Sequence, residues 1–214
     1  MTWEYWLETS RYLADGAALS LAVFAVTMVI AFPLSFVLAA FYHFVPWLRY
    51  SIRGFTLLFR GTPLMLQLFF FMFGLPAFGI RLDRLTVAFV GFGINYAAYF
   101  VEIIRAGIEV IPRDQEESAK VIGATSSQIY WRILTPQALR IQVPVFTNEL
   151  ITLMKDTALV SVIALSDLLR KVREVVSRDF TLSPFFMAAI FYLGMSYIIA
   201  EILKRVEKRF DFMN

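Results

Sequence analysis

Seven side chains could do ionic or hydrogen-bonding chemistry where the surrounding sequence is otherwise apolar: Glu102, Arg105, Asn148, Glu149, Thr152, Lys155 and Asp156. A charged group at the centre of a bilayer costs about 2.5–3.5 kcal/mol on insertion scales, so such residues face a bundle interior or a cavity. Glu102 and Arg105 are three residues apart and neighbours on one helical face. Asn148, Thr152 and Lys155 share a stripe at helical spacing, and Glu149, Thr152 and Asp156 share the adjacent one. One reading is a translocation cavity whose walls meet both the ammonium and the carboxylate of a small zwitterion. The other is that Glu102 pairs with Arg105, and Lys155 with an acid, to lock helices together.

Other chemistries are poorly provided for. With no cysteine and a single histidine, His43, the chain has no thiolate nucleophile, no disulfide framework and no histidine-based metal site. No catalytic residue and no metal ligand is expected. The GxxxxGK[ST] phosphate loop is missing, so ATP cannot be bound in the usual way and no enzymatic role is expected. The net charge of +3 is spread over short segments between apolar blocks, a pattern unlike a nucleic-acid surface.

The elements that must position these side chains are apolar helices. Hydrophobic residues make up 59% of the sequence, charged residues 17%, and the mean hydropathy is +0.66. The apolar residues collect in blocks of the ~20 residues needed to cross a bilayer. Five spans are predicted: 17–42 with Pro33 inside, 64–80 with Gly74 and Pro76, 85–111, 143–165 and 184–203. The expectation is an all-α membrane protein forming one domain over residues 1–214. Most of the 22 phenylalanines serve lipid contact and core packing, and Gly91, Gly93, Ala97 and Ala98 allow close approach of the third span to a neighbour.

Basic residues set the orientation. With the N-terminus outside, the inner segments hold Arg49, Arg53, Arg60, Arg113, Lys120, Arg132, Arg140 and a C-terminal group at 204, 205, 208 and 209, eleven against seven in the outer segments. Arg170, Lys171, Arg173 and Arg178 run against this bias. Glu4, Glu8 and Asp15 precede the first apolar run, unlike the basic start of a cleavable signal peptide.

The longest polar connection, residues 112–136, reads as two short helices. Pro112 suits a first helical position, with Asp114, Glu116 and Glu117 in the first turns, where the helix dipole favours negative charge. Gly123 fits a left-handed cap, Thr125 or Ser126 a second helix start, and Pro136 the end. On pattern alone this hairpin either lies on the lipid surface or docks on a partner.

Within it, Glu117-Ser118-Ala119, then Gly123 after three intervening residues, Ile133 after nine more and Pro136 resemble the EAA motif of ABC-importer permeases, with Ser118 for the first alanine and Thr135 for the usual leucine. Further stretches resemble the polar amino-acid uptake subfamily: Arg60-Gly61-Thr62-Pro63-Leu64 with Gln67, Ala98-Tyr99 with Glu102 and Arg105-Ala106-Gly107-Ile108, and Asn148-Glu149 with Lys155-Asp156-Thr157 and Leu159-Val160-Ser161-Val162-Ile163. The likeness covers roughly residues 16–210.

The resemblance implies a five-helix permease subunit in a bacterial inner membrane, N-terminus outside and C-terminus cytoplasmic, with a cytoplasmic coupling hairpin between spans three and four. It implies a second permease subunit, a cytoplasmic ATPase dimer that binds ATP and magnesium and receives Glu117, Ser118, Ala119 and Gly123, an extracytoplasmic binding protein, and a polar amino acid as substrate. No cofactor is expected on this chain. Rival readings are an ion-coupled secondary transporter, which usually shows paired repeats and broken helices, and a membrane scaffold that does not transport.

Overall fold

The computed structural model describes residues 3–211, with side chains to residue 208. Every regular element in it is helical. α1 spans Trp3–Phe44, 42 residues through Pro33, and so begins well before the apolar run that announces it. Its buried residues, Leu13, Gly16, Ala17, Ser20, Val23, Thr27, Ala31, Ser35 and Ala39, recur every three or four positions and are nearly all small. They form a flat seam against which neighbouring helices approach closely. The seam hydroxyls are satisfied locally, Thr27 donating to the Val23 carbonyl at 2.7 Å and Ser35 to that of Phe32 at 2.7 Å.

α2 (Leu48–Gly61) and α3 (Leu64–Phe69) follow, meeting at a bend of 100°. α3 runs on through a π turn at Phe70–Gly74 and a 3-10 turn at Leu75–Phe78, ending at a left-handed Gly79. The predicted second span, 64–80, is short and irregular at its outer end, as the positions of Gly74 and Pro76 lead one to expect, while the polar α2 ahead of it was not expected. Hydropathy alone misses α2 because its basic residues cancel its apolar ones, although it buries Ile52 and Thr56 on one side.

α4 (Arg84–Val110) is the central helix and coincides with the predicted third span. Asp83 caps it, accepting hydrogen bonds from the backbone N–H of Leu85 and Thr86 at 3.0 and 3.1 Å. Gly93 faces Ile30 of α1 so closely that a Cβ there would sit 2.6 Å from the isoleucine methyl. Ala97 and Ala98 are fully buried.

α5 (Arg113–Val121) and α6 (Ser126–Ile129) form the polar connection. Gly123 between them has φ +86°, the left-handed conformation expected of it. A capping box starts α6, with Thr125 accepting from the Gln128 N–H at 3.3 Å and the Gln128 side chain from the Thr125 N–H at 2.8 Å. Two boundaries differ from expectation. Pro112 is the cap rather than the first helical residue of α5. Pro136 does not end the second helix: a π turn at Tyr130–Leu134 carries it directly into α7 (Thr135–Asp156). Pro136 directly follows this π turn, in which the Thr135 N–H bonds the Tyr130 carbonyl, and the widened turn accommodates a residue without an N–H, so the helix passes through it.

α7 continues as a 3-10 turn at Thr157–Ile163, and α8 (Leu168–Asp179) and α9 (Ser183–Asp211) follow. The core lies where α1, α4 and α7 meet, with the rings of Phe32, Phe100 and Phe146 at mutual centroid distances of 5.0, 5.5 and 5.4 Å. Among the described residues α1, α4 and α9 are long and apolar enough to cross a membrane, and the bent α2–α3 pair is a fourth candidate.

Candidate functional site

The predicted polar side chains separate into two groups. The first surrounds Glu102 on α4. Its carboxylate accepts from Arg105 Nε at 2.9 Å and Nη2 at 2.6 Å, and from Thr56 Oγ1 of α2 at 2.9 Å. Arg60 approaches it at 3.8 Å, and the remaining Arg105 Nη1 donates to Glu109. The pair one turn apart is thus a closed ionic network joining α2 to α4.

The second group lines an open cavity of about 430 Å³ between α4, α7 and the corner after α2. Glu149, Thr152 and Asp156 form its α7 wall, and Asn95, Tyr96 and Tyr99 its α4 wall. Asp156 accepts a hydrogen bond from the Tyr96 hydroxyl at 2.7 Å. No salt bridge to Glu149 or Asp156 forms among the described residues; the cation on the cavity wall, Arg60, lies over the Tyr99 ring at 5.2 Å from its centroid. Asn148 and Lys155 belong to the other helical stripe and do not line this cavity; both are exposed.

The corner that closes the cavity is built from polar side chains. Gln67 Nε2 reaches the carbonyls of Phe59 and Thr62 at 2.9 and 3.1 Å and the Thr62 hydroxyl at 2.8 Å. Asn95 Nδ2 donates to the same Phe59 carbonyl at 2.8 Å and to Gln67 Oε1 at 3.0 Å. A helix that stops inside an apolar core leaves carbonyls without partners, and these two amides supply them. Asn95 and Tyr96 escaped the sequence reading because each is a lone polar residue within an apolar run, and their partners lie 28 and 60 residues away. An amide amid Gly93, Ile94 and Ala97 was the available signal.

The polar connection has its own small core, in which Ala119 packs with Ile111, Ile129, Leu134 and Ala138. Glu117 and Ser118 are exposed, as is Gly123. Beside them Val121 and Ile122 stand 87% and 84% exposed, an apolar tip on an otherwise polar segment. Glu116 is held below the usual carboxylate range by its hydrogen bond from Lys120 at 2.7 Å.

The sequence profile of binding-protein-dependent transport system inner membrane components matches residues 16–212. The chain belongs to this family. Among inner membrane components of this kind, the arginine transport system permease protein ArtQ of Bacillus subtilis (strain 168) is 36% identical over 92% of both chains. The histidine/lysine/arginine/ornithine transport system permease protein HisM of Salmonella typhimurium is 32% identical, covering 96% of this chain and 94% of that one. A solved amino acid ABC transporter with histidines superposes with a TM-score of 0.87 at 26% identity, over 98% of this chain and 99% of the other. The inward-facing MetNI methionine ABC transporter gives 0.72 at 18% identity and shares the fold.

Proposed function

We propose that this chain is the membrane-spanning subunit of an ATP-driven importer and that it passes a polar amino acid, preferentially a cationic one, through the cavity between α4 and α7. The observation that carries this reading is the pair Glu149 and Asp156: two carboxylates on one cavity wall, with Asn95, Thr152 and two tyrosines around them and one arginine parked on a ring. An ammonium or guanidinium would find charge there, and a zwitterion's carboxylate would find Arg60. The names of the relatives that carry arginine and histidine fit the same chemistry.

Five spans serve this role: α1, the bent α2–α3 unit, α4, α7 with its 3-10 extension, and α9. The N-terminus lies outside and the C-terminus in the cytoplasm, which puts α5 and α6 on the cytoplasmic side. There the exposed Val121–Gly123 tip and Glu117 meet a separate ATPase that binds ATP and magnesium. The subunit works beside a second permease chain, the same or homologous, and takes substrate from an extracytoplasmic binding protein.

The test is Glu149→Gln in proteoliposomes containing the whole transporter. Uptake of the cognate amino acid should fall at least tenfold, since a charge-assisted hydrogen bond worth about 1.5–3 kcal/mol is lost. Basal ATP hydrolysis and expression should stay close to those of the parent. Unchanged uptake would remove Glu149 from the substrate path.

A further inference from the structure

We propose that a basic cavity at the α5 end of the bundle binds the phosphate of an anionic phospholipid. It encloses about 380 Å³ where the end of α1 meets α2 and the end of α4. Four guanidinium groups line it, Arg49, Arg53, Arg105 and Arg113, against one carboxylate, Glu109. Arg105 already occupies Glu109 and Glu102. The other three form no ion pair among the described residues; Glu116, beside the cavity and paired with Lys120, offsets Arg113 only in part.

They are nevertheless held in place. Arg49 donates from Nε to the Tyr42 carbonyl at 3.0 Å and from Nη2 to that of His43 at 3.2 Å, and Arg53 Nε donates to the Tyr42 hydroxyl at 2.9 Å. The guanidiniums of Arg49, Arg53 and Arg105 lie 5.8, 5.6 and 5.9 Å from the centroid of one ring, that of Tyr42. The ring's face attracts each cation. It does not cancel their mutual repulsion, which an anion between them would. Among the described residues both Nη groups of Arg53 keep donors without a partner, a fork that can donate to a pair of phosphate oxygens.

Two sources could supply such a phosphate, a lipid headgroup or a soluble ion, and the surroundings favour lipid. Trp47, Tyr50 and Leu57 around α2 are 72%, 81% and 76% exposed, an apolar rim suited to acyl chains. The cavity also sits at the level where the membrane helices give way to the polar connection, where headgroups lie. This reading does not depend on the substrate or on Glu149.

The experiment titrates the purified full-length chain, in neutral detergent, with phosphatidylglycerol, phosphatidylcholine or inorganic phosphate while following Tm and the lipid retained by mass spectrometry. Phosphatidylglycerol alone should raise Tm. Arg53→Gln combined with Arg113→Gln should weaken its apparent affinity on the order of thirtyfold. Arg113→Gln alone, at an exposed side chain where misfolding is no concern, should weaken it about fivefold. Arg84→Gln, at the opposite end of α4, should leave it unchanged. A Tm rise with inorganic phosphate that the double variant abolishes would overturn the phospholipid assignment. So would a phosphatidylglycerol effect that survives both variants or is matched by phosphatidylcholine.

Discussion

The carboxylates of Glu102 and Glu149 stand on neighbouring helices of the same core, and their surroundings are opposite. Glu102 is met by two nitrogens of Arg105, by the Thr56 hydroxyl and by Arg60 at longer range. Glu149 faces an open cavity whose other acid, Asp156, repels it, and receives no salt bridge among the described residues. A network that satisfies its own charges fixes helices against each other. A wall that leaves its charges exposed is available to a visitor. In a core of such high hydropathy the second arrangement is costly unless something occupies it, so the contrast sets a structural ion cluster beside the wall that we propose as the substrate path.

At fixed pH the largest effect should come from breaking the closed network. Glu102→Gln leaves Arg105 with Glu109 alone and Arg60 without its ion pair, and should cost about 2 kcal/mol of stability, a figure set below that of a fully buried pair because Arg105 is partly exposed. The double variant Glu102→Gln with Arg105→Gln should recover most of this in thermal unfolding. Glu149→Gln in the same assay should be neutral or stabilising. Equal losses at Glu102 and Glu149 would erase the distinction between the two regions.

A smaller effect sharpens it from the open side. Tyr96→Phe removes the hydrogen bond that Asp156 accepts from the Tyr96 hydroxyl, with an expected cost of about 1 kcal/mol. A double-mutant cycle with Asp156→Asn should show coupling at this pair and none between Tyr96 and Glu102.

A pH-dependent effect concerns a third carboxylate, outside the spans, which forms no ion pair among the described residues and feels the charge of Arg173 only at longer range. Asp167 is fully buried ahead of α8 and accepts only backbone N–H groups, from Leu169 at 3.0 Å and Arg170 at 3.2 Å. Burial pushes it from the usual 3.8 up to about 6. The folded state therefore holds this proton more tightly than the unfolded chain does. Its stabilising contribution is complete below about pH 4 and is lost as pH rises through about 6, a change of up to about 3 kcal/mol across that window. Asp167→Asn keeps the cap and should flatten that slope in unfolding curves measured from pH 4 to 7. A slope that persists would assign the pH dependence to other groups.

Sequence pattern carried the elements whose signals are local. α4 emerges within a residue of its ends because an apolar run is bounded by Asp83 and Pro112, and the turn at Gly123 and the cap at Thr125 follow from residue type. The polar face of α7 is visible in spacing alone. The choice of which stripe faces the cavity is not, since Glu149 and Asn148 are adjacent and only packing against α4 selects the stripe of Glu149, Thr152 and Asp156. The corner at Gly61–Pro63 was hidden for the same reason: it depends on Asn95 reaching across from another helix. α2 was invisible to averaged hydropathy because its signal is the distribution of charge around the helix, not its amount.

The length of α1 has a mechanical consequence. At 1.5 Å per residue its 42 residues extend about 63 Å, roughly twice the hydrocarbon thickness of a bilayer. It is a lever: pivoting by about ten degrees at one end sweeps the other through about 10 Å. The far end does not move alone. Gly16 lies against the backbone of Asp167 and Leu168 with no room for a Cβ, Tyr12 donates to Glu174 at 2.6 Å, and Lys171 meets Asp15 at 3.3 Å. α8 is clamped to α1 about 21–27 Å from where Ile30 crosses Gly93 of α4, so a tilt of about ten degrees at that crossing would carry α8 through about 4 Å.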